Sequence, residues 1–268
     1  TTEIYTLSLH DALPICSDGQ IDFDHLSSLL NKKTALVAMH HVNSETGAMQ
    51  NLVKVRELMK QLSPRALLLA DTMQSACKLD IPWKEASPDA ITVSGQKIGA
   101  PCGGALIFSS ELEKCMRKIR SSEHLVGRCV PAAAITIASQ AAKLCPSIPS
   151  NSKHAASLKS ALLDALEKEN IKFRKTLSDK LSSPYILHFT LPGYQSAIIL
   201  RSMLEHDISA ASGSACESET DLPSKVLTAM GFSKQDAFSV IRVSTWTENS
   251  LDEVAGFAAA LASSIRKY

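Results

Sequence analysis

Four short apolar runs, each ending in a polar cluster and separated by segments of helical periodicity, constrain this chain more than any other feature. Residues 35–39 (ALVAM), 66–70 (ALLLA), 90–93 (AITV) and 105–108 (ALIF) are short enough for buried strands. Before the first lies a short helix at 24–31, capped by Asp22 or Asp24. Between the first and second, Val53, Val55, Leu58, Met59 and Leu62 recur at helical spacing over 53–62. Strands alternating with helices predict an α/β layer, and such sheets hold ligands just past their strand ends. The polar clusters HHVNSETG (40–47), DTMQ (71–74) and SGQK (94–97) stand at such places.

Helices are predicted at 111–119 and 131–144, before a turn-rich stretch, CPSIPSNSK (145–153), that makes a domain boundary. A second unit follows: helix 155–166, strand 185–190, helix 197–204, helix 226–230 before Gly231, strand 240–244 and helix 251–265. Ser250 caps the last helix, with Asp252 and Glu253 in its first turn. Residues 1–15 (TTEIYTLSLHDALPI) have no Lys or Arg for a targeting signal, and codon by codon they read as a translated sequencing-library adapter, so they are set aside. The expected organisation is a leader at 1–15, an α/β unit at 16–145 and a smaller unit at 146–268.

Twenty-eight Lys and Arg against 27 Asp and Glu give a net charge of +1, which argues against direct, electrostatically driven nucleic-acid binding. The uncharged stretch 129–142 is shorter than the ~18 residues of a membrane span. Seven cysteines without CxxC spacing suggest neither a zinc framework, so no metal is expected, nor a disulfide scaffold, and point to a reducing cytoplasm.

Taken singly, the clusters are weak signals: an Asp after a strand is often a helix cap, a Ser-Gly pair a turn, a Lys a solvated charge. Their order is more informative. Asp71 at one strand end and Lys97 at a later one, twenty-six residues on, suit a pyridoxal phosphate site. There a Lys forms a Schiff base and a carboxylate keeps the pyridine nitrogen protonated.

The strings VNSETGAMQ, LLLADTMQSACKLDI, ITVSGQKIGAPCGGALIF, SGSACESETDLPSKVLTAMG and IRVSTWTENSLDEV resemble the cysteine desulfurase group of the class V aminotransferases. The resemblance covers residues 34–268 and is weaker over 111–170. It implies a fold-type-I α/β architecture: part of a large domain with a mainly parallel, mixed sheet, and a smaller α+β domain. It makes Lys97 the Schiff-base lysine, Asp71 the pyridinium partner, Gln74 a donor to the phenolic oxygen, and Ser94 and Gln96 phosphate ligands, Gln96 standing where the family often has His. Ser44 replaces a frequent Asn near cofactor and substrate carboxylate, with Asn43 available beside it. Arg242 matches the carboxylate clamp, a role suited to a planar bidentate donor. Cys77, Cys102, Cys115, Cys129 and Cys145 read as small buried hydrophobes. Cys216, in a loop with nothing apolar beside it, reads as the mobile nucleophile that takes sulfur from L-cysteine as a persulfide and releases alanine.

The implied partners are L-cysteine, a sulfur acceptor such as an iron–sulfur scaffold or the thiolated-RNA route, and a second copy in a homodimer. The family's phosphate loop and ring-stacking His precede anything that resembles them here, which implies an amino-terminally shortened chain that retains cofactor weakly. His40 and His41 read as structural rather than as that stacking His. The segment 121–133 matches the family only at Arg128. Selenocysteine lyase shares the pattern, and a non-catalytic binding relative would keep the fold. A cysteine hydrolase leaves Lys97 unused and has no His near Cys216 in sequence.

Overall fold

In a computed structural model, residues 15–101, 103–119, 131–212 and 223–268 are described, with side chains omitted over 116–119. The leader up to residue 14, the segment around Arg128, and Cys102, Cys129 and Cys216 lie outside the described residues.

The first unit contains α1 (Phe23–Leu29), β1 (Leu36–His40), α2 (Leu52–Leu62), β2 (Leu67–Asp71), α3 (Trp83–Ala86), β3 (Ala90–Ser94), β4 (Gly104–Phe108), α4 (Ser110–Ile119) and α5 (Pro131–Leu144). Of the two candidate caps, Asp22 serves: its carboxylate accepts from the backbone N–H groups of Asp24 and His25. The sheet order is β1-β2-β3-β4, parallel across the first three strands and antiparallel at β4. Val37, Met39, Leu68, Ala70, Ile91 and Val93 pack with Leu26, Leu52, Val55 and Met59 of α1 and α2. Each fully buried leucine there contributes roughly 2–3 kcal/mol.

The strands differ from expectation in one respect. β1 and β2 are not buried throughout: Leu36 and Leu67, which face each other across the ladder, are 40% and 37% exposed. Side chains alternate across a sheet, and α1 and α2 cover one face. The same register puts His40, Asp71 and Thr92 in a row on the face that carries Leu36 and Leu67.

The second unit contains α6 (Ile148–Lys168), β5 (Arg174–Lys175), β6 (Ile186–Thr190), α7 (Ser196–Met203), α8 (Lys225–Ala229), α9 (Lys234–Ala237), β7 (Val240–Ser244) and α10 (Leu251–Lys267). β5-β6-β7 form an antiparallel sheet. Leu187, Phe189 and Ile241 pack on Leu158, Leu162 and Leu166 of α6 and on Phe257 and Leu261 of α10. The stretch expected as a turn is mostly helix. Cys145–Ser147 is a 3₁₀ turn, after which α6 starts at Ile148, with Pro149 in the first turn where its missing N–H costs nothing.

All five residues of β6 are buried, because the 42–49 loop joins α8 and α9 in packing on the small sheet opposite its α6 and α10 core. Val42 packs with Tyr185 and Ile186, and Ala48 with Leu177 and Val240. Met49 N–H donates to Leu181 O at 2.8 Å, and Ser183 N–H to Gly47 O at 2.8 Å. Gly47 has φ +80°, and a Cβ there would lie 2.9 Å from Ile186 Cβ. Only glycine meets both demands.

Candidate active site

The carboxyl ends of β2 and β3 build the centre of the site. Asp71 Oδ1 accepts from Met73 N–H at 2.9 Å and from Thr92 Oγ1 at 3.1 Å, while Oδ2 takes no hydrogen bond among the described residues. The carboxylate is therefore aimed, with one oxygen to spare. After Asp71 the chain turns tightly. Thr72 Oγ1 donates to Thr92 O at 2.7 Å, and the N–H groups of Ser75 and Ala76 donate to Thr72 O at 2.9 and 2.7 Å. Gln74 and Lys78 lie on this turn, with Lys78 Nζ 3.4 Å from Gln74 Oε1.

Ser94 ends β3 and precedes a 3₁₀ turn, Gly95–Ile98, without making a side-chain cap bond. Ile98, fully buried, anchors that turn in the core, and Gln96 and Lys97 project outward as exposed side chains. Gly95 is required there: a Cβ would meet Pro101 O at 2.6 Å and Gly103 O at 3.2 Å.

Lys78 is a site residue that sequence reasoning missed. It is 7% exposed, and its Nζ lies 5.1 Å from the Trp246 ring centroid and 5.9 Å from that of Tyr185, both in the second unit. Burial, reinforced by the positive charge of Lys97, pulls its amine down to about 8. The available signal was its position four residues after Gln74. Nothing in the sequence announces the two rings that enclose it.

Arg242 on β7 reaches the first unit, where its Nη1 donates to Ser44 O at 2.8 Å. The contact uses the Ser44 carbonyl, and the Ser44 side chain is exposed. Arg242 Nε is buried without a hydrogen-bond partner among the described residues; burial lowers the guanidinium, and nearby Glu45 opposes that shift. Asn43 is committed to the turn. Its Oδ1 accepts from Glu45 N–H at 3.0 Å, Thr46 N–H at 2.8 Å and Thr46 Oγ1 at 3.1 Å, so its Nδ2 group is what could face a ligand.

His40 pairs with Asp71 across the ladder; burial lowers its imidazole while Asp71 pulls the other way. His41 is buried and pushed down to about 4, first by burial and then by His40. The expectation of buried cysteines fails at Cys115 and Cys145, which are exposed, and holds only partly at Cys77, of intermediate exposure. Cys145 sits in the 3₁₀ turn between α5 and α6, at the surface rather than in either core.

Among the described residues, Asp71 keeps one oxygen without a hydrogen bond, Ser94 makes no side-chain cap bond, Lys97 is exposed and Arg242 Nε is without a partner; these are donors and acceptors of the kinds that an anionic pyridine aldehyde and an amino acid carboxylate require. Site and fold together define the class. Residues 7–257 match the model of the aminotransferase class-V family, and the chain belongs to that family. Among its curated relatives are a putative cysteine desulfurase IscS 1 of Bacillus subtilis, 27% identical over 253 residues (90% of this chain, 65% of the relative), and the cysteine desulfurase IscS of Pasteurella multocida, 28% identical over 245 residues (89% and 59%). Against the curated relatives compared, the chain spans 57% to 65% of their length. Its fold matches that of a NifS-like protein with a TM-score of 0.80 at 18% identity (96% of this chain, 68% of that one). It also matches the NifS-like protein of Rickettsia africae with a TM-score of 0.78 at 23% identity (95% and 69%). The architecture is thus the fold-type-I α/β arrangement expected from the sequence. No helix among the described residues is long and apolar enough to cross a membrane.

Proposed function

We propose that this chain carries the site of a pyridoxal phosphate-dependent cysteine desulfurase, which moves sulfur from L-cysteine to Cys216 and leaves alanine. The observation that carries the proposal is an aimed Asp71 carboxylate at the end of β2 with an exposed Lys97 just past the end of the adjacent parallel strand β3, while the Arg242 guanidinium of the second unit is held at the Ser44 carbonyl in the loop that follows β1. The curated relatives named cysteine desulfurase support the substrate.

Asp71 would face the pyridine nitrogen, Gln74 the phenolic oxygen, Ser94 and Gln96 the phosphate, and Asn43 Nδ2 the cofactor edge. Bound there, the cofactor supplies an electron sink that lets the α-carbon of an amino acid carry negative charge. Lys97, tethered by a turn whose hinge is a glycine and whose anchor is Ile98, would hold the cofactor and, once its amine is free, would move the α-proton. Arg242, beside the Ser44 backbone, holds the substrate carboxylate. Lys78, whose amine is pulled down to about 8 by burial and by the charge of Lys97, gives up its proton more readily than a solvated lysine and so eases the placing of a second amine beside Lys97. The Cys216 thiolate would attack the substrate sulfur as the bond from that sulfur to the substrate β-carbon breaks, the electron pair staying with the three-carbon fragment, which takes up a proton and leaves as alanine. The persulfide then passes to an acceptor such as an iron–sulfur scaffold, in a cytoplasmic homodimer.

The test is chemical. The protein is incubated with pyridoxal phosphate, reduced with borohydride and digested, and the pyridoxyl group is expected on Lys97. A label on Lys78 instead would overturn the lysine assignment. With L-cysteine, alanine and a protein persulfide should form in equal amounts. Cys216→Ser should keep the pyridoxyl label and lose the persulfide; a persulfide that survives moves the sulfur chemistry to another thiol.

A further inference from the structure

Cys77 and Cys145 are sixty-eight residues apart in sequence, yet their sulfurs lie 3.8 Å apart, with the Cys145 thiol directed at Cys77 Sγ. No disulfide joins them, and both are free thiols. Cys77 lies in the turn that carries Gln74, and Cys145 opens the 3₁₀ turn between α5 and α6. Two independent observations set this pair apart from a chance contact of small hydrophobes. Cys145 is exposed, so it is not retained for burial. Cys77 has φ +58°, a left-handed conformation in which a glycine would be relaxed and a side chain is strained.

We infer that Cys77 and Cys145 form a reversible dithiol–disulfide site, oxidised by low-molecular-weight disulfides of the glutathione type. A disulfide needs the sulfurs at about 2.0 Å. Rotation of the exposed Cys145 side chain, at the end of a short turn, can supply most of the approach. Burial, and after it the neighbouring Cys145, push the Cys77 thiol up to about 12, so Cys77 is the poorer first nucleophile.

The reaction then has an order. The Cys145 thiolate attacks one sulfur of oxidised glutathione; that S–S bond breaks, and the first glutathione leaves as a thiolate and takes up a proton. Cys77 then loses its proton to solvent and attacks Cys145 Sγ, expelling the second glutathione. Two protein thiols are oxidised by two electrons, and one glutathione disulfide is reduced to two thiols. The product ties the Gln74 and Lys78 turn to the α5–α6 junction. The inference does not depend on the cofactor reading, because neither sulfur is assigned to that chemistry.

The folded 268-residue chain is treated with oxidised glutathione, alkylated without reduction and digested with trypsin. The expected product joins peptide 66–78 to peptide 144–153, and dithiothreitol reverses it. Cys77→Ser should leave glutathione on Cys145 with no cross-link. Cys145→Ser, a conservative change at an exposed position, should abolish the cross-link and leave Cys77 unmodified. The oxidised wild-type protein should also melt several degrees higher than its reduced form, because the bridge closes a long loop in the unfolded chain, and Cys145→Ser should lack that rise. Stable glutathionylation of Cys145 in the wild-type protein without a cross-link, or cross-links distributed over Cys16 and Cys115 as readily, would overturn the inference.

Discussion

Lys78 shows how a single side chain can set the character of a site. Its amine, pulled down to about 8, titrates far below the ordinary lysine value because two aromatic rings and Lys97 surround it. The unfolded chain holds that proton up to about pH 10.5, so between pH 8 and 10.5 the unfolded state binds more protons and this group's contribution to stability rises with pH. Lys78→Met should therefore raise stability at pH 7 by on the order of 1–3 kcal/mol and flatten the alkaline slope, as read by urea midpoints from pH 7 to 10. Buried histidines act at the other end of the scale. His41 is pushed down to about 4 and His188 to about 3, each by burial first. Their folded values lie below the unfolded 6.5, so stability is whole above pH 6.5 and is lost as pH falls through this window, at about 1.4 kcal/mol per pH unit for each group. His188→Gln should remove about one proton from that slope between pH 6.5 and 4.5. At this scale the sequence was informative about residue type and poor about surroundings. Asp71 and Lys97 stand out by their order along the chain, whereas Lys78 does not, because its enclosing rings come from Tyr185 and Trp246, far away in sequence.

At the scale of single elements, the strands were legible to within a residue, because compact apolar runs bounded by polar clusters have few alternatives. α3, β5 and α9 were not, being four, two and four residues long and too short for any period to show. The start of α6 was misjudged because Pro and Ser are also what a helix amino terminus favours. The 3₁₀ turn after β3 is the element on which the site depends most. Gly95→Ala would drive a Cβ to 2.6 Å from Pro101 O, a backbone atom with no room to yield. We expect a loss of about 1–3 kcal/mol in denaturant titration, together with reduced pyridoxyl incorporation at Lys97. Ser250 and Glu253 form a reciprocal capping box at the start of α10. Ser250→Ala should cost about 1 kcal/mol and leave cofactor labelling unchanged.

For the whole molecule, the decisive feature is that the 42–49 loop serves both units: it packs with α8 and α9 against the small sheet and brings the Ser44 carbonyl to Arg242. Arg242→Lys keeps the charge but loses the planar donor pair, so KM for cysteine should rise at least about tenfold with a smaller change in kcat, while Lys97 labelling persists. A fall in kcat alone would place Arg242 elsewhere in the reaction. By itself, the sequence determined the α/β alternation, the caps, and the order of chemically distinctive residues along the chain. Those properties are local, written in periodicity and residue type within ten or so positions. Tertiary structure alone decided that Asp71, Thr92 and His40 share one sheet face, that Lys78 is enclosed, that Arg242 meets Ser44, and that Cys77 lies beside Cys145. Each of these joins segments tens to hundreds of residues apart, and strand register and packing, which no local pattern encodes, set the distance between them.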